Sequence, residues 1–274
     1  VSVFNYDEFN AANPTGPATA CYEFYAVNLK KNFDGKVKYG QQYYDFDEGV
    51  MTFYAPKQIL SFEVGQNIPE GWTLIIHPDL LHGTALAKKV REYGFFAYAV
   101  SEALHLSEKE QEIIEGIFEN LRTELECNTD IHTQEVVLSH IDLLLSYCSR
   151  FYTRQFITRK KASGDLLGRF EGYLSAYFKE DSQVSGLPSV QYFAQKLSVS
   201  SHYLNDMLKN LTGNTTQQHI QDHIIQRGKE LLTTSSLSVS EIAFMLGFEH
   251  SQSFSKLFKN KVNLTPLAFR QSFN

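Results

Sequence analysis

Residues 238–265 read SVSEIAFMLGFEHSQSFSKLFKNKVNLT, and the same outline stands earlier as SVQYFAQKLSVSSHYLNDMLKNLTGNT at 189–215. Ser189-Val190, Ala194 and Leu197 in the first copy answer to Ser238-Val239, Ala243 and Leu246 in the second. Leu204, Leu208, Lys209-Asn210, Gly213 and Thr215 then answer to Phe254, Phe258, Lys259-Asn260, Asn263 and Thr265, with one extra residue in the second copy's turn. The apolar spacing within each copy is that of a helix, a short turn and a second helix. One supersecondary unit therefore occurs twice, at about 188–213 and 238–263.

The residue at each position has a physical reason to be there. Ser238-x-x-Glu241 is a capping box that opens a helix. Ala194 and Ala243 are small enough for the two helices of a unit to cross closely. Gly247 supplies the left-handed turn conformation that ends a helix, and Ser198 must do the same less comfortably. Leu204 with Leu208, and Phe254 with Phe258, turn the apolar face of each second helix inward. Its other face is then polar: Ser201, His202, Asn205, Asp206 and Lys209 in one copy, Ser251, Gln252, Ser255, Lys256 and Lys259 in the other. Side chains of this kind suit base edges and phosphates in a major groove. A compact helical domain with a merely solvated polar face is the alternative at this point.

Between the copies, Gln217 to Leu232 carries Ile220, Ile224, Leu231 and Leu232 at near-helical intervals. A helix of that length, roughly 24 Å, would hold two recognition helices about one DNA turn apart on one face of a duplex. Charge is divided in the same sense. The chain as a whole is at -6, yet Gln183 to the end has eight Lys/Arg against five acids, +3, leaving the rest at -9. That asymmetry points to a polyanionic partner for the C-terminal part alone.

Residues 1 to about 100 read as strands: Ala20–Leu29, Gly49–Ala55, Leu60–Val64, Trp72–His77 and Gly94–Val100 are rich in Tyr, Phe, Val and Ile. Asn13-Pro14, Asp34-Gly35 and Pro69-Glu70-Gly71 separate them as turn signals. Short strands without helical patterning between them predict an antiparallel sandwich or barrel. A capping box at Ser107/Glu110 opens a helix with Ile113, Ile114, Ile117, Phe118, Leu121 and Leu125 on its apolar side. A second helix runs from Thr133 to about Phe156 with Val137, Ile141, Leu144, Leu145 and Cys148 on one face. These stripes cover their own sheet or pair two subunits, or both on different faces. The polar stretch around Arg159-Lys160-Lys161 reads as an exposed linker, and a helical pattern resumes from Asp165 to Phe178.

The chain from Asp165 to Asn274 resembles the AraC/XylS family of bacterial transcription regulators. The resemblance rests on Lys229-Glu-Leu-Leu, Ser240-Glu-Ile-Ala, Leu246-Gly-Phe, Phe254-Ser-Lys-Leu-Phe-Lys, Leu264-Thr-Pro and Phe269-Arg270. It implies two helix-turn-helix units joined by a helix and binding adjacent major-groove segments of double-stranded DNA. By the same resemblance the DNA-facing positions are Ser201, His202, Asn205 and Lys209 in the first unit, and Ser251, Gln252, Ser255, Lys256 and Lys259 in the second. The N-terminal half resembles, more loosely, the cupin-like jelly-roll domains of such regulators, which sense a small-molecule effector or dimerise. The chain departs from the family's pattern at Asn263, where Gly is usual, and at Asp206, where a basic residue is common. It departs too at His250, a cap position usually Asp or Ser, at His223, commonly Arg, and at Ser253, customarily aromatic.

The expected fold is thus α+β in two domains: a cupin-like antiparallel barrel or jelly roll with amphipathic helices (1–156), a linker (157–164), and an all-α DNA-binding domain (165–274). The expected partners are DNA, a second copy of the chain, a small-molecule effector and, as a further possibility, RNA polymerase. No cofactor is expected. No apolar run is long enough to span a membrane, Val1–Asn10 has no signal-like apolar core, and the expected location is the cytoplasm. Cys21, Cys127 and Cys148 are odd in number and far apart, which fits buried thiols in a reducing compartment. The chain has no GxSxG, HExxH, CxxC or phosphate-cradling glycine loop, so no enzyme class is indicated. One alternative is a metal-binding cupin-type enzyme with a helical interaction tail, for which His77 and His82 would be the ligands; they lack a third.

Overall fold

The computed structural model describes residues 1–6, 16–31, 33–39, 42–46, 49–64, 70–158, 160–178 and 186–273. The chain divides into two units, Val1–Thr158 and Arg159–Asn274. The turn signals at Asn13-Pro14 and Pro69, and Arg159 of the expected linker, lie outside the described residues.

The first unit contains strands β1 (Ser2–Asn5), β2 (Gly16–Cys21), β3 (Tyr25–Lys31), β4 (Phe33–Tyr39), β5 (Gln42–Phe46), β6 (Val50–Tyr54), β7 (Ile59–Val64), β8 (Glu70–Ile76) and β9 (Leu104–His105). Five of them form an antiparallel sheet in the order β1-β8-β3-β6-β9, while β2-β7 and β4-β5 form two-stranded antiparallel ribbons. Among the described strands β1 and β9 remain edges. The antiparallel expectation holds, and the five-stranded sheet is open rather than closed into the expected barrel.

Strand alternation sorts this sheet into two faces. Val27, Leu29, Met51, Phe53, Leu74 and Ile76 are buried on one. Against it pack α3 (Glu108–Glu126) and α4 (Thr133–Thr158), with Trp72 stacked on Phe118 at 5.9 Å and Cys148 Sγ 3.7 Å from Met51 Sδ. Most of both apolar stripes is therefore buried against the other helix and the sheet: Ile114, Ile117, Phe118 and Leu121 of α3, and Val137, Ile141, Leu144, Leu145 and Cys148 of α4, while Ile113, expected on the same side of α3, is exposed. The opposite face carries a buried polar row, in which Asn28 Oδ1 accepts from Thr73 Oγ1 at 2.9 Å and Asn28 Nδ2 donates to Thr52 Oγ1 at 3.3 Å. Gly71 has φ +123, and a Cβ there would stand 2.1 Å from the Leu29 carbonyl, so β8 requires glycine at this point.

Several local expectations are corrected. Gly94–Val100 is not a strand: residues 94–97 and 100–102 form short 3-10 turns. Phe95, Phe96 and Tyr98 are all buried, Phe95 and Phe96 against Phe53, and consecutive burial of that kind breaks the period of two that a strand needs. The run Ala20–Leu29 is interrupted at 22–24, and Asp34-Gly35 falls inside β4, where the register with β5 is irregular. Helices α1 (Pro78–Leu81) and α2 (Ala85–Glu92) were not legible as such. Of the three cysteines only Cys148 is buried; Cys21 and Cys127 are exposed. The stretch expected as a linker is mostly helical, since α4 runs through Thr158 and α5 (Lys160–Tyr177) starts two residues later. Lys and Ala are strong helix formers, so a polar run does not by itself mark an absence of helix.

The second unit adds α6 (Val190–Leu197), α7 (Ser201–Thr212), α8 (Thr216–Thr234), α9 (Val239–Met245), α10 (Ser251–Val262) and α11 (Pro266–Gln271) to α5. Helix α8 is the spine: α5, α7, α9, α10 and α11 all pack on it. At nineteen residues it is longer than its apolar pattern alone indicated, about 28 Å. The extra residues lie at its two ends, beside a Thr215/Gln218 capping box at its start and side-chain hydroxyls of Thr233 and Thr234 bonded back to carbonyls at its end.

Candidate nucleic-acid interface

Helices α6 and α7 form one pair and α9 and α10 the other, each joined by a short turn. In the first pair Ser189 caps α6 by accepting from Tyr192 N at 3.1 Å, and Ser200 caps α7 by accepting from Tyr203 N at 3.1 Å. Between them Ser198 adopts φ 59, ψ 41 to stop α6. In the second pair the Ser238/Glu241 box is complete: Ser238 N donates to Glu241 Oε2 at 2.7 Å and Glu241 N to Ser238 Oγ at 3.2 Å. The Ser238 hydroxyl first, and then its backbone N–H, favour the ionised carboxylate and hold Glu241 below its ordinary pKa. Gly247 takes the left-handed conformation at φ 88, and His250 starts α10 with no side-chain cap bond.

Both α7 and α10 have twelve residues and end at a left-handed C-cap, Gly213 in one and Asn263 in the other. Leu204, Met207 and Leu208 of α7 are buried, and so are Phe254 and Phe258 of α10. Burial of these side chains fixes which face looks outward. Ser201, His202, Asn205 and Lys209 fall on the outward face of α7, and Ser251, Gln252, Ser255, Lys256 and Lys259 on that of α10, each half-buried or exposed. Asn205 has a second engagement: its Oδ1 accepts from Thr216 N at 3.3 Å and so ties α7 to the start of α8.

The cations of residues 186–273 divide by partner. Arg227 pairs with Glu230 at 2.9 Å and Lys261 with Asp222 at 2.8 Å. Lys196 lies over the Tyr192 ring and Lys229 over that of Phe269. Arg270 donates to the carbonyls of Leu232 and Leu237 and so locks α11 against the α8–α9 turn. Among the described residues of 186–273, the cations without such a side-chain partner are Lys209, Lys256 and Lys259, all three on the outward faces of α7 and α10. A lysine left in water on a helix that presents Ser, Gln and His can meet phosphate without first breaking an ion pair.

Residues that position these helices were only partly foreseen. Gly228, in the interior of α8, lets Phe254 approach to 3.1 Å of where a Cβ would sit. Its signal was available, because glycine inside a helical pattern costs about 1 kcal/mol and implies a close approach. The locking role of Arg270 had no local signal, since its carbonyl partners are more than thirty residues away. In the first unit His77 and His82 are exposed, with ring nitrogens 3.4 and 3.6 Å from Asp79 carboxylate oxygens. His77 Nδ1 also accepts from Asp79 N and caps α1, and among the described residues no three His, Cys, Asp or Glu form a metal-ligand group.

Comparison with known proteins adds to this geometry. The family described as "Helix-turn-helix domain" matches residues 193–272. Over 78 residues the chain is 36% identical to the HTH-type transcriptional activator RhaS of Escherichia coli O139:H28, covering 28% of this chain and 28% of that protein. It is 32% identical over 106 residues to a protein named Histidine kinase P4 of Formosa agariphila, covering 38% of this chain and 8% of that one. Among solved structures, the C-terminal domain of the two-component response regulator yesN from Fusobacterium nucleatum is 28% identical, with 36% of this chain and 96% of that chain covered and a TM-score of 0.33. The chain thus spans less than a third of the length of these curated relatives.

Proposed function

We propose that this chain, a member of the AraC/XylS family by its C-terminal helix-turn-helix domain, is a sequence-specific transcription regulator that reads adjacent major-groove segments of DNA with α7 and α10. The observation that carries the reading is the placement of Lys209, Lys256 and Lys259, uncommitted to other side chains, on the outward faces of two equivalent helices. Ser201, His202, Asn205, Ser251, Gln252 and Ser255 flank them and would meet base edges or phosphates. The kinase activity in one relative's name belongs to that protein, of which the match covers 8%.

The N-terminal unit would govern this binding, by a small-molecule effector or by pairing two chains. The buried row Thr73, Asn28 and Thr52 favours an effector, because a polar face inside a β domain offers hydrogen bonds to a ligand as readily as to itself. Pairing would have to use side chains left outside, such as Ile113 and Leu143, since most of the stripes of α3 and α4 is buried within their own unit. RNA polymerase is the partner an activator of this kind would engage.

The test is a titration of the full chain against duplex DNA at increasing salt. Three phosphate-neutralising lysines predict that log K falls against log salt with a slope of about −3 or steeper. A flat dependence would falsify phosphate-driven binding.

A further inference from the structure

The two recognition helices of this reading can be superposed residue for residue. Each is twelve residues long, begins one residue after an N-cap (Ser200, His250) and ends at a left-handed C-cap (Gly213, Asn263). The sixth position is Lys256 in α10 and Asp206 in α7. Both lie away from the buried positions, on the flank that also bears Lys259 and Lys209. The pair least alike in charge therefore occupies one equivalent site, and a carboxylate stands where the twin helix places an ammonium.

We infer that Asp206 is a specificity-determining residue that accepts a hydrogen bond from the amino group of a cytosine in the segment met by α7. A carboxylate is an acceptor only, and phosphate oxygens repel it. In the major groove the donors are the N4 amino group of cytosine and the N6 amino group of adenine. Adenine sets the N7 acceptor beside its donor, which opposes the second carboxylate oxygen; cytosine offers a donor alone. Asn205, whose side-chain type suits adenine, already uses its Oδ1 on Thr216 N at 3.3 Å, which leaves the bidentate adenine contact incomplete. The charge division agrees. Helix α10 has Lys256 and Lys259 for phosphates, whereas α7 has Lys209 alone beside a carboxylate suited to base reading. On this view α10 supplies affinity and Asp206 makes α7 selective.

The inference rests on the DNA-reading function, and the experiment separates the two. The full chain is used to select duplexes from a randomised library, and single base-pair changes in the selected site are then titrated for the wild type, Asp206→Ala and Asp206→Asn. The wild type is expected to fix one C·G pair in one segment, about ten base pairs from the centre of the other. Changing that pair to T·A should cost the wild type about tenfold in affinity and Asp206→Ala less than twofold. Asp206→Asn, which preserves the side chain's shape, should lose the preference for cytosine as well; thermal melting of both variants checks that they fold. Asp206→Ala that binds all sequences more tightly by one common factor would show a carboxylate that only repels phosphate, and would overturn the inference. So would an undiminished preference for cytosine in both variants. A wild-type chain that selects no sequence at all would overturn the DNA reading itself, whereas selection through one segment only, indifferent to position 206, would leave that reading standing and remove Asp206 from it.

Discussion

The pairs α6–α7 and α9–α10 reach the same geometry with different devices. The first stops α6 on Ser198 in a left-handed conformation and caps α7 with Ser200; the second stops α9 with Gly247 and leaves α10 without a side-chain cap at His250. Outside, α10 presents two uncommitted lysines and α7 one lysine beside Asp206. Inside, the second pair rests on Phe254 and Phe258 with the close approach at Gly228, while the first is backed by α5 through Phe170 and Phe193. Duplication preserves spacing and burial because those set the fold. It leaves caps and outward charge free to diverge, because each contributes only about 1 kcal/mol to stability.

The largest expected effect tests whether the second pair anchors binding. Replacing Lys256 and Lys259 together by alanine should lower DNA affinity about 10- to 100-fold near 0.15 M salt and flatten the salt slope by about two. Lys209→Ala should cost only several-fold and flatten it by about one. Equal losses from the two helices, measured by anisotropy on one duplex, would erase the asymmetry.

A smaller effect comes from exchanging devices between the pairs. Ser198→Gly, which copies Gly247, relieves a non-glycine left-handed residue and should stabilise the second unit by about 0.5–1 kcal/mol. His250→Ser, which copies Ser200, restores the missing cap and should add a similar amount, about 0.5–1 kcal/mol. Denaturant melts of the single and double variants should show the gains adding, since the sites sit in different pairs. A loss in either case would mean that the divergent residue is doing something for the fold that its twin does not.

The smallest effect is a pH dependence that should fall on the first pair. His223 of α8 stacks on Phe178 at 5.2 Å, just beyond the end of α5. Burial lowers its imidazole from the usual 6.5; Glu230 pulls the other way and Arg227 adds to the lowering. A folded-state pKa below the unfolded one means that the unfolded chain takes the proton first. The docking of α5 near α8 is thus at full strength above about pH 6.5 and weakens as pH falls through the lower folded value. The wild type should lose more melting temperature between pH 7.5 and 5.5 than His223→Gln, and hydrogen exchange should loosen α6 and α7 before α9 and α10. Equal loosening of the two pairs would separate α5 from the support of the first.

Much of the second unit was legible because its information is local. The Ser238 and Ser198 signals, like that of Ser107 in the first unit, each involve side chains within a few residues of the helix end they govern, and each took the expected form. The outward sites were legible for the same reason, as Leu204, Leu208, Phe254 and Phe258 fix a helix's orientation by period alone. Where several consecutive aromatics were buried, as at Phe95, Phe96 and Tyr98, period failed, and the strand expected there proved to be turns. The polar run at 157–164 was read as a linker, whereas α4 runs through Thr158 and α5 starts at Lys160, because hydrophilic residues such as Lys form helix as well as they end one.

By itself the sequence determined the repeat, the capping boxes at Ser107 and Ser238, the left-handed stops at Ser198 and Asn263, and the face on which each candidate DNA contact stands. Those follow from interactions spanning one or two helical turns. Tertiary structure decided which cations are free to act, because Lys261 meets Asp222 and Arg270 meets Leu232 and Leu237 only after distant segments fold together. It also decided that the stripes of α3 and α4 are buried within their own unit, that the sheet is open, and that Asn205 holds α8 while facing outward. Partners far apart in sequence leave no periodic trace, so only the packed chain could reveal them.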